Sequence, residues 1–292
     1  MTPRPKVPPL AKPPGPIQRV VAALPERYAF KSLIGRGSAA YVILADDRQL
    51  QTPVAVKILR PEVATVVGEK RFHREVEILS RLEHANILRL LDHGTVQHQG
   101  LFLVTPFING ETLRARLRRE RQVSVTSMIP IVQQIASALD YAHARDVIHR
   151  DIKPANILLP EGAVILADFG ISRAMGSEQT PQITVTGVSV GTPEYMSPEQ
   201  ISAGSLDARS DIYSLGCVAY EMLSGKPPFT GRTYSEIFHR HRNETPRPVT
   251  ETRPDVPIKV DAAIMKSLAK DRAERFKTAG EFAEALAAAG KR

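Results

Sequence analysis

The sequence predicts an α+β fold: a small strand-rich lobe, a larger and mainly helical lobe, and a ligand held between them. Runs such as YVILA, VAVKIL and LFLV read as strands in the first third of the chain. Segments such as EKRFHREVEILSRL, DIYSLGCVAYEML and GEFAEALAAAG read as helices, nearly all of them later. The 292 residues, 42% of them hydrophobic, make one large domain or two lobes with ample material for a core.

Residues 1–27 are expected to form a disordered Pro-rich tail. Seven prolines fall in the first 16 residues, which favours an extended chain over an apolar core segment. Residues 28–108 hold the strand-rich lobe. The stretch IGRGSAAYVILA carries Gly35 and Gly37, small residues that let backbone N–H groups approach phosphates. An ordinary hairpin turn is the plainer reading of a lone glycine loop. A dinucleotide fold would enter a helix next, but here YVILA and VAVKIL follow as two strands across the polar turn DDRQLQTP. Lys57 ends an otherwise apolar strand, so it either snorkels at an edge or is held by a partner. In the helix that follows, Phe72, Val76, Leu79 and Leu82 form one apolar stripe, and Glu75 falls inside it. A carboxylate on a buried face is costly unless paired, so Glu75 is either a boundary residue reaching water or the partner of Lys57. LFLVTPFINGETL is an apolar strand that runs into a turn.

Residues 109–292 hold the helical lobe. Its most informative stretch is HRDIKPANILLPEGAVILADFG, where Asp151, Asn156 and Asp168 lie among short apolar runs. Asn and Asp oxygens suit a hard divalent cation that also binds substrate phosphates. A further carboxylate can accept a proton from a hydroxyl nucleophile. Any one of these residues alone reads as a polar turn, but H-R-D-x-K-x-x-N and D-F-G together are hard to obtain by chance. DIYSLGCVAYEML is too short to span a bilayer and is better read as a buried central helix. Asp211, at its start, is by itself an N-cap candidate.

These motifs closely resemble the catalytic and metal loops of eukaryotic-like (Hanks-type) Ser/Thr protein kinases of the bacterial type, over about residues 28 to 286. The resemblance implies a bilobal protein kinase fold and transfer of the γ-phosphoryl group of ATP to protein Ser or Thr hydroxyls. It implies Mg²⁺ as cofactor, with Mn²⁺ as a substitute, and catalysis mainly by positioning and charge stabilisation. On that resemblance Asp151 is the base, Lys153 steadies the transferring group, and Asn156 and Asp168 hold the metal. Lys57, paired with Glu75, reaches the α- and β-phosphates. Ile34, Gly35, Arg36, Gly37, Ser38, Ala39 and Ala40 form the loop over the phosphates, with Ala40 where the family has its third glycine. Val42 and Ala55 cover the adenine from above and Leu158 from below. Thr105 guards the back pocket, the Pro106 carbonyl and Ile108 N–H read the adenine, and Glu111 reaches the ribose. Thr192 bonds Lys153 and Asp151, Glu199 pairs with Arg275, and Asp211 anchors the catalytic-loop backbone.

The segment GSEQTPQITVTGVSVGT is rich in hydroxyls and is expected not to hold one conformation unaided. Arg150, before the catalytic Asp151, wants an anion that a loop phosphate would supply. The spacing of Thr184 and Thr186 before Thr192 resembles the autophosphorylated pair of bacterial Ser/Thr kinases, and a soluble loop is the alternative. The net charge is +8, partly from RARLRRERQ, which carries Arg114, Arg116, Arg118, Arg119 and Arg121. A solvated helix face is the default, and docking of acidic proteins the sharper alternative. No nucleic-acid motif or aromatic interleaving accompanies these arginines. A single cysteine, Cys217, excludes a disulfide framework and points to a reducing cytosol. With no secretory signal and no long apolar run, the expectation is a soluble, cytoplasmic protein without membrane contact. Its expected partners are protein substrates and itself, in trans, as a homodimer. Lys57, Asp151, Asn156 and Asp168 are all present, which argues against a scaffold that has lost catalysis. The long loop ending in Ser197-Pro198-Glu199 favours a protein over a small-molecule acceptor.

Overall fold

A computed structural model describes residues 15–37, 39–96, 100–169 and 192–290. The chain divides into two compact units, Met1–Arg74 with Arg89–Phe107, and Glu75–Leu88 with Ile108–Arg292. The second stretch of the first unit ends at Phe107, beside the residue 108 expected to end the strand-rich lobe. The segment Glu75–Leu88 groups with the helical unit instead of the strand-rich one.

The first unit opens with helix α1, Gly15–Ala22. Strands β1 (Tyr28–Arg36), β2 (Ala40–Asp47) and β3 (Thr52–Leu59) follow. Next come α2 (Pro61–Val67), α3 (Glu69–Ser80), whose residues from Glu75 onward group with the second unit, β4 (Asp92–Val96) and β5 (Gly100–Pro106). The five strands form one antiparallel sheet in the order β1-β2-β3-β5-β4. Strand alternation sends Ile43, Ala45, Val54, Val56, Ile58 and Val104 to one face, all with no exposed surface. Helix α1 covers that face with Ile17 and Val20, joined by Leu24 just beyond the helix. The expectation of disorder over residues 1–27 is thereby corrected for residues 15–27. Prolines are tolerated in a first helical turn, and the apolar residues beyond Pro16 find a sheet face to bury. Arg27 ties the same region down, donating to Asp47 at 2.9 and 2.8 Å and to Asp92 at 3.3 Å. This holds the buried Asp47 carboxyl below the usual carboxylate range.

The second unit carries β6 (Glu111–Thr112), α4 (Leu113–Glu120), α5 (Val125–His143), β7 (Ile157–Leu159) and β8 (Ile165–Leu166). Helices α6 (Pro198–Ile201), α7 (Ala208–Ser224), α8 (Tyr234–Asn243), α9 (Ile258–Ser267) and α10 (Ala279–Gly290) complete it. The short strands pair in the order β6-β7-β8. Helix α7 is the expected central helix and is buried from Ser210 to Leu223. It is capped by Asp207, not Asp211, and closed by Gly225 in the left-handed region at φ 81°. Helix α10 packs on α5, where Asp140 accepts from the Ala279 and Gly280 N–H groups at 2.9 Å each. Among the described residues, no helix is long and apolar enough to cross a membrane.

In the arginine-rich stretch Arg118, Arg119 and Arg121 are exposed, as a solvated face expects, and several arginines carry carboxylate partners. Arg114 is half-buried and bonds Glu221 at 2.7 Å, Arg116 bonds Glu120 at 3.0 Å, and Arg119 bonds both Glu111 and Glu120. Three of the four arginines in α4 are thus matched by carboxylates of the same unit, which weakens the case for docking acidic partners.

Candidate active site

Each unit carries its own group of the expected residues. In the first, Gly35 pairs with Val42 across β1 and β2, and a Cβ on Gly35 would lie 3.2 Å from the Val42 Cβ. A side chain at Gly35 would therefore press on Val42, which would have to give way by a few tenths of an ångström. The turn beyond is closed by the Gly37 N–H on the Ala40 carbonyl at 2.9 Å, and Arg60 donates to the Gly37 carbonyl at 2.9 Å. Ile34 and Arg36 are exposed on either side, Ala39 is half-buried, and Ser38 lies outside the described residues. Ala40 opens β2 opposite Leu59 and is buried, so its methyl is a packing group.

Directly opposed residues of antiparallel strands share a face. Val42 opposes Lys57, Leu44 opposes Ala55, and Ala55 opposes Thr105. Lys57, Ala55, Val42 and Thr105 thus stand together on the sheet face away from α1, each half-buried. Pro106 ends β5 opposite Val54, a strand end where a missing N–H is tolerated. Glu75, the first residue of the second unit, sits in α3 between the buried Phe72 and Val76. Its side chain, and so its pairing with Lys57, lies outside the described residues.

In the second unit the loop from His149 to Asn156 is held by backbone bonds to buried side chains. Asp211 has no exposed surface and accepts from the His149 N–H and the Arg150 N–H, both at 2.8 Å. His143 Nε2 donates to the same carboxylate at 2.7 Å. Burial alone would push the Asp211 carboxyl up, but these bonds and the His143 charge outweigh it and hold it low. The His149 ring is fixed as one tautomer by two backbone partners. Nε2 donates to the Ala167 carbonyl at 2.9 Å, and Nδ1 accepts the Asp151 N–H at 3.2 Å. The Ala167 N–H donates to the Asn156 carbonyl at 2.8 Å. Both backbone groups of Ala167 are therefore taken by the loop, which brings the next residue, Asp168, beside it. Arg150 and Asp168 both adopt left-handed backbone, at φ 69° and 66°, a conformation costly for residues with a Cβ and kept where the surroundings enforce it.

The Asp151 carboxylate accepts from Lys153 Nζ at 2.9 and 2.7 Å and from Asn156 Nδ2 at 3.0 Å. Asn156 Nδ2 also donates to the Asp151 carbonyl at 2.8 Å, which leaves Oδ1 as the amide atom suited to a cation. With the Asp168 carboxylate this makes an all-oxygen donor set, which fits a hard divalent ion. Among the described residues, no group of three or more His, Cys, Asp or Glu converges as a metal site, so substrate and water oxygens would have to complete the shell. Leu158 stands in β7 between Thr112 and Ile165, half-buried. Ile108 is half-buried at the start of this unit.

Downstream, Thr192 precedes a single 3₁₀ turn, Pro193–Tyr195. The bonds expected from Thr192 to Lys153 and Asp151 are absent among the described residues, and the Lys153 ammonium lies on Asp151 instead. Arg275 grips Glu199 at 2.7 and 2.9 Å, as expected. Glu111, expected at a ribose, is engaged by Arg119. Thr184 and Thr186 lie outside the described residues. The sequence reading missed three partners: His143 beneath Asp211, the Arg114–Tyr195–Glu221 cluster, and Gln200. Only Gln200 carried a local signal, the S-x-x-Q capping box that starts at Ser197.

A family model described as the protein kinase domain matches residues 28–286. The chain is 37% identical over 264 residues to the serine/threonine-protein kinase PknB of Mycobacterium leprae, covering 89% of this chain and 42% of that protein. It is 39% identical over 266 residues to the probable serine/threonine-protein kinase PknB of Bifidobacterium longum, covering 88% and 38%. It thus spans about two fifths of the length of these curated relatives. The crystal structure of the Mycobacterium tuberculosis PknI kinase domain superposes with a TM-score of 0.71 at 26% identity, covering 91% of this chain and 97% of that one.

Proposed function

The chain belongs to the protein kinase domain family, and from that premise we propose that it is a serine/threonine protein kinase that phosphorylates protein hydroxyls, its own included. The observation that carries this reading is the Asp151 carboxylate, set in a loop whose backbone is bonded to buried Asp211 and His149 and which runs beside Asp168.

The family uses ATP and a divalent metal and acts on proteins. In the proposed reaction a Ser or Thr oxygen attacks the γ-phosphorus, the bond to the β,γ-bridging oxygen breaks, and ADP leaves. The hydroxyl proton passes to Asp151. Lys153, 2.7 Å from that carboxylate, is placed to share its charge with the transferring group. Mg²⁺, or Mn²⁺ in its place, suits Asn156 and Asp168 and would neutralise charge on the phosphate oxygens. Lys57, Ala55, Val42 and Thr105 share one sheet face, which supports nucleotide roles for them. The glycine turn through Gly35 and Gly37 supports a phosphate role. Pro106 and Ile108 supply the expected backbone groups for adenine. Glu111 is left out, because Arg119 already holds it.

Thr184 and Thr186 are the proposed autophosphorylation sites, modified in trans between two molecules. ATP-dependent chemistry and a single buried thiol favour the cytoplasm as the compartment. The test is transfer of labelled phosphate from ATP with Mg²⁺ to an unstructured Ser/Thr-rich protein such as casein. The parent should label it, and Asp151→Asn should label it about 10²- to 10⁴-fold more slowly. Equal rates would refute the assignment.

A further inference from the structure

Gln200 is the third residue of α6, and its side-chain amide joins two stretches of backbone. Its Oε1 accepts the Ser197 N–H at 2.9 Å and its Nε2 donates to the Arg150 carbonyl at 2.8 Å. One partner is a backbone donor and the other a backbone acceptor, so the orientation of the amide is fixed by chemistry. The Arg150 carbonyl belongs to the peptide unit whose other half is the Asp151 N–H, and that N–H is bonded to His149 Nδ1 at 3.2 Å. The preceding N–H, that of Arg150, is bonded to Asp211 at 2.8 Å. The peptide entering Asp151 is therefore gripped at both of its polar atoms, directly after a residue in left-handed backbone that this grip helps to enforce.

We propose that Gln200 is a positioning residue for Asp151: by holding the Arg150–Asp151 peptide plane, it aims the Asp151 carboxylate and couples that aim to the segment that ends in Ser197-Pro198-Glu199. The role rests on the phosphotransfer reading above. It also makes the geometry of the base depend on where α6 sits. A carboxylate aimed even 1 Å away from its hydroxyl loses on the order of 10²-fold in rate.

Gln200→Glu separates this role from helix capping. At about pH 8 the ionised Glu still accepts the Ser197 N–H but has no proton to donate, and it sets a negative oxygen against the Arg150 carbonyl. Two readouts are compared with the parent: steady-state kinetics with ATP and casein, and amide hydrogen exchange of the segment spanning residues 149–153. The expected result is a kcat about 10- to 100-fold lower at unchanged KM for ATP, with faster exchange at the Asp151 amide and a similar melting temperature. Should Gln200→Glu fail to fold, Gln200→Met, which is close in size and lacks both bonds, takes its place with the same expectation. Unchanged kcat and unchanged exchange would overturn the proposal and leave the kinase reading standing. A parent that transfers no phosphate would sink that reading, and the exchange comparison would still decide the clamp.

Discussion

Glu199 and Arg275, 76 residues apart, meet in a two-pronged ion pair at 2.7 and 2.9 Å, with the Arg275 side chain fully buried. Arg275 also donates to the carbonyls of Ala269 and Arg209 at 2.8 and 2.9 Å, so the pair fastens three stretches of the second unit together. Removing one member of a buried pair strands the other charge, at a cost of about 3–5 kcal/mol. Glu199→Ala should lose that much stability in urea denaturation, and a loss below about 1 kcal/mol would show that the pair contributes little.

The His143–Asp211 contact sets a pH dependence. Burial would lower the His143 pKa, but Asp211 outweighs it and the folded value is raised. A group with a raised folded pKa stabilises fully below its unfolded value, about 6.5, and loses that contribution as pH rises through the folded value. The stability of the parent minus that of His143→Gln should therefore shrink as pH is taken upward from about 6.5. A difference that stays flat or grows with pH would contradict the contact.

Gly216 lies in α7 against α9. A Cβ there would fall 2.1 Å from Ser267 Oγ. Alanine is the better helix former by about 1 kcal/mol, yet forcing a methyl into a packed contact costs about 1–3 kcal/mol. Gly216→Ala should lower the melting temperature in calorimetry, and a rise would mean that Ser267 swings aside freely.

Much of this was legible in the sequence because the motifs are local. The run from Asp151 to Asp168 spans one loop and two short strands, and the face shared by Lys57 and Ala55 follows from strand alternation, while Val42 came from family resemblance. Glu199 with Arg275 and Asp211 with the loop came from family resemblance, since no spacing reveals partners so far apart in the chain. Residues 15–27 of the tail were misread because prolines dominate its composition, while Ile17, Val20 and Leu24 gain their place only from a sheet face formed later in the chain. Arg114 departs from the expected solvated face for a similar reason: Glu221 is brought to it by the fold. The Lys153–Asp151 contact, made where a Thr192 bond was expected, depends on side-chain geometry that no spacing encodes.

Arg119 holds Glu111, and that makes the ribose expectation testable. Glu111→Ala should leave the KM for ATP within about twofold of the parent, because an exposed pair of this kind is worth about 1 kcal/mol or less. A tenfold rise in KM would restore Glu111 to the nucleotide.

The most direct test of the central claim is intact-mass and peptide-level mass spectrometry after incubation with ATP and Mg²⁺, run on the parent and on Asp151→Asn. A parent that gains phosphate, mapped to Thr184 or Thr186, beside an Asp151→Asn protein that gains none, is the result predicted for a self-phosphorylating Ser/Thr kinase. Phosphate on neither protein, or equally on both, would contradict it.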